Sequence, residues 1–96
     1  MIDFLVEIDV RLPPGTDPAR RAELIAAEAG RAKELSARGT IARLWRVPGR
    51  WSNVGIWCAS DATELHEALS SLPLYPWLDV HVTALAKHPS DPGPPP

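Results

Sequence analysis

From Ile2 to Leu12 the chain alternates strictly, and a Pro13-Pro14-Gly15 stop follows. Ile2, Phe4, Val6, Ile8, Val10 and Leu12 fall on one face, and Asp3, Leu5, Glu7, Asp9 and Arg11 on the other. A period of two, rich in β-branched residues, specifies a strand with one buried face. Such a strand must lie against a second layer, so it excludes an all-helical bundle. The Pro-Pro-Gly run cannot continue a ladder and ends the strand. Thr16 or Asp17 can cap a following helix, with Pro18 suited to its first turn.

The remaining elements follow from the same signals. The helix is expected to run to about Arg38, with Gly39 as its stop. Gly30 inside it costs ~1 kcal/mol relative to alanine, or permits close packing. Thr40–Val47 reads as a second strand, Pro48-Gly49 as a turn, and Ser52–Cys58 as a third strand. Ser60 or Asp61 caps a second helix that continues through Leu65 and Leu69 to about Ser71. Pro73 and Pro76 keep the next segment from being helical throughout. Trp77–Lys87 is the fourth strand. The order βαββαβ predicts an α+β, ferredoxin-like domain over residues 1–89, an antiparallel four-stranded sheet with both helices on one face. The other sheet face is left open, with Leu5 among charges, and a second copy can cover it. Residues 90–96, rich in proline, hold no core-forming side chains and are expected to form a flexible tail.

Composition narrows the function. The formal charge is −2, and the longest basic run is Arg20-Arg21. Nucleic acid and anionic membrane are therefore poor candidate partners. The one cysteine, Cys58, allows no internal disulfide, fits a reducing cytoplasm and is expected to pack as a small hydrophobe. No stretch is long and apolar enough to span a membrane, and the acidic start does not resemble a secretory signal. The histidines, His66, His81 and His88, lack metal-ligand spacing, and no cysteine cluster exists, so no metal is expected. There is no phosphate loop or dinucleotide glycine fingerprint, and no cofactor is expected.

Helix periodicity isolates one candidate for chemistry. At ~100° per residue, with Leu24 at zero, Leu35 falls near ~20°, Ala32 near ~80° and Ile25 near ~100°. Glu28 falls near ~40°, inside this apolar stripe. A carboxyl group facing the sheet has a raised pKa, which suits a general base acting on a carbon acid. The alternative is a structural glutamate that pairs with an arginine or bends out past a short alanine.

Two blocks carry more than patterning requires. Leu44–Asn53 reads LWRVPGRWSN, and Ser71–Pro89 reads SLPLYPWLDVHVTALAKHP. With the opening strand, LPPGTDP and the long helix, they resemble the muconolactone delta-isomerase family over about Ile2–Ser90. The resemblance implies a ferredoxin-like fold, pairing of subunits through their sheets as a dimeric α+β barrel, and assembly into homodecamers. It implies a cytoplasmic isomerase without cofactor in aromatic-compound breakdown, the catechol or beta-ketoadipate route. Its substrate is muconolactone, an unsaturated lactone converted to 3-oxoadipate enol-lactone.

The resemblance also assigns site residues. A glutamate stands at the Glu28 position of the family's helix and resembles the expected base. Trp45, Arg46, Gly49, Trp51 and Asn53 fit its W-R-x-x-G-x-(aromatic)-x-N block. Arg46 can hold a carboxylate arm. Asn53 can donate to a lactone carbonyl as charge builds on it. Trp45 and Trp51 can wall off water, or can be core or interface residues, just as Arg46 can be a surface ion pair. Strand parity opposes part of this assignment. Val54 and Ile56 look like the helix-facing core, which would turn Asn53 away from the first helix. The family's charged neighbours of the glutamate are also replaced, since the stretch here is Ile25-Ala26-Ala27-Glu28-Ala29. That departure keeps alternatives open: a relative acting on another carbanion-forming substrate, such as a cyclase or dehalogenase, a non-catalytic ferredoxin-like binding module, or an oxygenase of similar dimeric fold.

Overall fold

A computed structural model describes residues 1–94. The element order is β1 (Ile2–Val10), α1 (Pro18–Ala37), β2 (Ile41–Arg46), β3 (Ser52–Ala59), α2 (Ala62–Ser70), a short 3-10 turn (Tyr75–Trp77) and β4 (Leu78–Leu85). The four strands form one sheet in the order β2-β3-β1-β4, antiparallel throughout. This is the expected βαββαβ, ferredoxin-like architecture. Some strand ends stop one or two residues short of what alternation suggests, and β3 runs one residue further. Leu12 is buried beyond the end of β1, and Trp77 belongs to the 3-10 turn. Residues 86–94 carry no helix or strand and are exposed, while Pro95 and Pro96 of the expected tail lie outside the described residues.

Local chemistry accounts for the boundaries. Asp17 caps α1 by accepting the Arg20 N–H at 3.1 Å, while the Thr16 hydroxyl donates to the Pro13 carbonyl instead. Gly39 follows α1 with φ of +79°, a conformation that glycine adopts without a steric penalty. Asp61 caps α2 through the Glu64 N–H at 2.8 Å, and the Ser60 hydroxyl donates to the Glu64 carboxylate.

The core lies between the sheet and the helices. Phe4, Val6 and Ile8 of β1, Trp57 and Ala59 of β3, Leu35 of α1, and Leu65, Ala68 and Leu69 of α2 are all buried in it. The alternation of β1 is thus realised as expected. In β3 the parity is the reverse of the sequence expectation. Phe4 pairs with Trp57, Val6 with Gly55 and Ile8 with Asn53, so Asn53, Gly55 and Trp57 share the helix-covered face. Val54 and Ile56 lie on the open face. Both faces of this strand are apolar, so hydrophobicity alone does not choose between them; the pairing with β1 does.

Gly55 marks why the inner face takes this set. A Cβ there would sit 2.5 Å from the Arg43 carbonyl oxygen and 3.0 Å from Leu44 Cδ1. The irregularity in β2 between Ile41 and Arg43 coincides with this close approach.

Candidate active site

Glu28 stands on the inward stripe of α1, between buried Leu24 and Leu35. It is half-buried, and its Oε1 accepts the Leu74 backbone N–H at 3.1 Å. Leu74 follows Pro73 at the start of the 3-10 turn, where its amide has no ladder partner. One carboxylate oxygen therefore ties the helix to the loop whose buried Leu72 and Leu74 face it. Among the described residues no ion pair involves Glu28, so it is not the arginine-paired structural glutamate considered above. Burial pushes its carboxyl above the usual glutamate value, against the opposing pull of the Leu74 hydrogen bond.

The carboxyl borders an apolar cavity of about 210 Å³. Ile25, Glu28, Ala29 and Ala32 of α1 form one wall, and Ile8, Ile41, Leu44, Asn53 and Trp57 of the sheet the other, with Leu72, Leu74 and Trp51 closing the sides. Ile25, on the apolar stripe yet 40% exposed, is explained by its place at this opening. An apolar cavity of ~150 Å³ admits a benzene ring. The space here accepts a five-membered ring with a short arm. A larger concavity, about 460 Å³, lies over Arg31, Arg38, Glu64 and Glu67, but it is a polar surface groove.

The sequence candidates separate in space. Glu28, Trp51 and Asn53 meet at the cavity. Arg46 pairs with Asn53 across β2 and β3 and lines an adjoining groove that shares Leu44, Trp51 and Asn53 with the cavity. Trp45 borders that groove but pairs with Val54, on the open-face side of the sheet. Its ring lies 4.7 Å from the Arg43 guanidinium and does not line the Glu28 cavity.

The β2–β3 turn is pinned so that Trp51 reaches the opening. Asp9 accepts from Arg50 at 3.0 Å and from the Ser52 hydroxyl, and the Val10 N–H donates to the Trp51 carbonyl at 2.9 Å. The Ser52 hydrogen bond, helped by the nearby arginines, holds the Asp9 carboxyl below its usual value.

Two residues escaped the sequence reading. Arg21 places its guanidinium 4.6 Å from the centre of the Trp51 ring, a cation–π contact at the cavity mouth. It lies seven positions before Glu28, hence on the same helix face, a spacing that could have signalled it. Trp57 is buried to 2% exposure and lines the cavity, and its indole N–H has no hydrogen-bond partner. Asn53 Oδ1 is likewise buried and unpartnered. Cys58 lies on the open face and donates to Asp3 at 3.1 Å, which raises its pKa and disfavours a thiolate. Among the described residues, no three His, Cys, Asp or Glu side chains are grouped to hold a metal ion, and no helix is long and apolar enough to cross a membrane.

Comparison with known proteins converges on one family. The muconolactone delta-isomerase family profile matches residues 2–91. The chain belongs to the muconolactone delta-isomerase family. It is 41% identical over 88 residues to the muconolactone delta-isomerase of Rhodococcus opacus, covering 92% of this chain and 95% of that protein. It is 41% identical over 87 residues to that of Cupriavidus pinatubonensis, covering 91% and 95%. A crystal structure of muconolactone isomerase superposes with a TM-score of 0.89 at 35% identity, covering 97% of each chain.

Proposed function

We propose that this protein is a cofactor-independent isomerase that converts muconolactone to 3-oxoadipate enol-lactone in aromatic-compound breakdown, with Glu28 as its proton shuttle. The observation that carries the mechanism is a lone carboxyl group with a raised pKa, facing an apolar cavity of ring size. The Glu28 carboxylate takes the ring proton beside the lactone oxygen. The electron pair left on carbon spreads through the double bond to the carbonyl oxygen, giving a dienolate. The protonated Glu28 returns the same proton to the ring carbon next to the carbonyl. The proton has moved two ring carbons along, the double bond has shifted by one position, and no atom is gained or lost. One recycled carboxyl group serves as base and then acid, which requires a pKa nearer neutrality than an exposed glutamate has.

The carboxymethyl arm of the substrate is an anion, and Arg46 supplies the opposing charge in the adjoining groove. Trp51 closes the mouth beneath Arg21, and Asn53 offers its amide to the bound lactone. The apolar walls exclude water that would protonate the dienolate indiscriminately.

Assembly and location complete the reading. The open sheet face presents Leu5, Val54, Ile56 and the exposed Trp45, an apolar strip for a second copy in a dimeric α+β barrel. The family resemblance extends this pairing to a homodecamer in the cytoplasm. Residues 1–89 form the working domain, and residues 90–94 lie outside it. Light scattering of the purified protein measures the assembly. Turnover of muconolactone, followed in the ultraviolet, tests the activity; a pure, folded preparation without turnover refutes it.

A further inference from the structure

Trp57 poses a problem that the fold alone does not solve. Its indole N–H is a good donor, buried and without a partner in the protein. Leaving such a group unpaired costs ~1–3 kcal/mol, and a phenylalanine would fill much of the same space without that penalty. The residue is not remote from the chemistry, because it lines the cavity that Glu28 borders.

Its position along β3 is informative. Asn53 and Trp57 share the helix-covered face, four residues or ~13 Å apart along the strand. Gly55 between them adds no side chain. Asn53 lies at the end that continues into the Arg46 groove, while Trp57 lies deep, opposite Phe4 and Ile41. A carboxymethyl lactone carries its charged arm and its carbonyl on the two ring carbons that flank the ring oxygen. With the arm held at the arginine-lined mouth, the carbonyl is carried inward.

We infer that the Trp57 indole N–H is the donor that receives the lactone carbonyl oxygen and stabilises the dienolate. Asn53 then serves the mouth of the cavity. An uncharged donor in an apolar site binds the ground-state carbonyl weakly and the enolate oxygen more strongly, so its contribution appears in kcat more than in KM. The inference rests on the lactone-isomerase reading of this cavity.

The test uses Trp57→Phe, which keeps an aromatic ring in the core and removes the N–H. The expected result is a loss of kcat of ~tenfold or more, with KM changed by less than ~threefold, in a protein with an unchanged far-ultraviolet spectrum. A second measurement needs no variant activity. In wild-type protein labelled with ¹⁵N-tryptophan, the saturated carboxymethyl lactone, which has the same carbonyl and arm but no double bond to move, is titrated in. The Trp57 indole resonance, assigned by its absence in Trp57→Phe, is expected to move downfield. A kcat loss smaller than tenfold overturns the inference. So does a titration in which the lactone shifts the Trp51 resonance and leaves Trp57 in place, an outcome that spares the site itself. Wild-type protein that does not turn over muconolactone sinks the functional reading and this inference together.

Discussion

Replacing Glu28 by Gln separates the carboxyl group's chemistry from its structural role. The glutamine oxygen can still accept the Leu74 N–H that now reaches Glu28 Oε1 at 3.1 Å, so the loop over the cavity stays tied. What is lost is the ability to take and return a proton. General acid–base catalysis is worth ~10²–10⁴-fold, so kcat is expected to fall by that factor, ~2.7–5.4 kcal/mol of barrier. Stability should respond in the opposite direction. The folded-state pKa of Glu28 is raised, so its contribution to stability is full below the unfolded pKa and is lost as pH rises through the folded value. The melting temperature of Glu28→Gln relative to wild type should therefore rise as pH increases from the ordinary glutamate value through the raised folded-state value. Glu28→Ala is the control: it leaves the Leu74 amide without its partner and should cost ~1 kcal/mol or more, a fall of ~4–8 °C. Steady-state kinetics and thermal melts across pH measure both quantities. The wild-type kcat/KM profile should show an acid limb above the ordinary glutamate pKa. Glu28→Gln with kcat within tenfold of wild type, or with the same acid limb, would refute the base assignment.

Three further outcomes follow from particular contacts. Arg46→Gln should raise KM for the lactone by ~tenfold or more with little change in kcat, because a charge-assisted hydrogen bond contributes ~1.5–3 kcal/mol; an unchanged KM would move the arm-binding role elsewhere, with Arg21 the next arginine at the mouth. Gly55→Ala places a Cβ 2.5 Å from the Arg43 carbonyl, so it should lower stability by ~1–3 kcal/mol, read as a lower urea midpoint. Gly30→Ala meets no atom within 4 Å and should raise stability by ~0.5–1 kcal/mol, since only the glycine's backbone entropy is at stake in a helix interior.

Among the site residues, legibility depended on whether one element or several set the geometry. Glu28 could be read from α1 alone, because helix periodicity places it between Leu24 and Leu35 regardless of the rest of the chain. Arg46, Trp51 and Asn53 could be read only as a block, through likeness to a family. The structure brings Trp51 and Asn53 to the cavity, puts Arg46 beside it, and leaves Trp45 out. Trp57 and Arg21 went unread because a buried tryptophan and a helix arginine are ordinary in isolation. Their interest lies in an absent partner and in a ring across the mouth.

Local signals in the chain determine the βαββαβ order, since alternation, caps and proline stops act over a few residues. They also determine which face of β1 is buried, because only one of its faces is apolar throughout. The orientation of β3 is another matter. Asn53, Gly55 and Trp57 offer one acceptable inner face, and Val54 with Ile56 offers the other. The pairing of Ile8 with Asn53 and Phe4 with Trp57 settles the choice, and a one-residue slip would turn every one of these side chains over. The cavity is likewise a property of the assembled layers. It exists because α1, the sheet and the Leu72–Leu74 loop meet around a carboxyl group, and no single segment contains it.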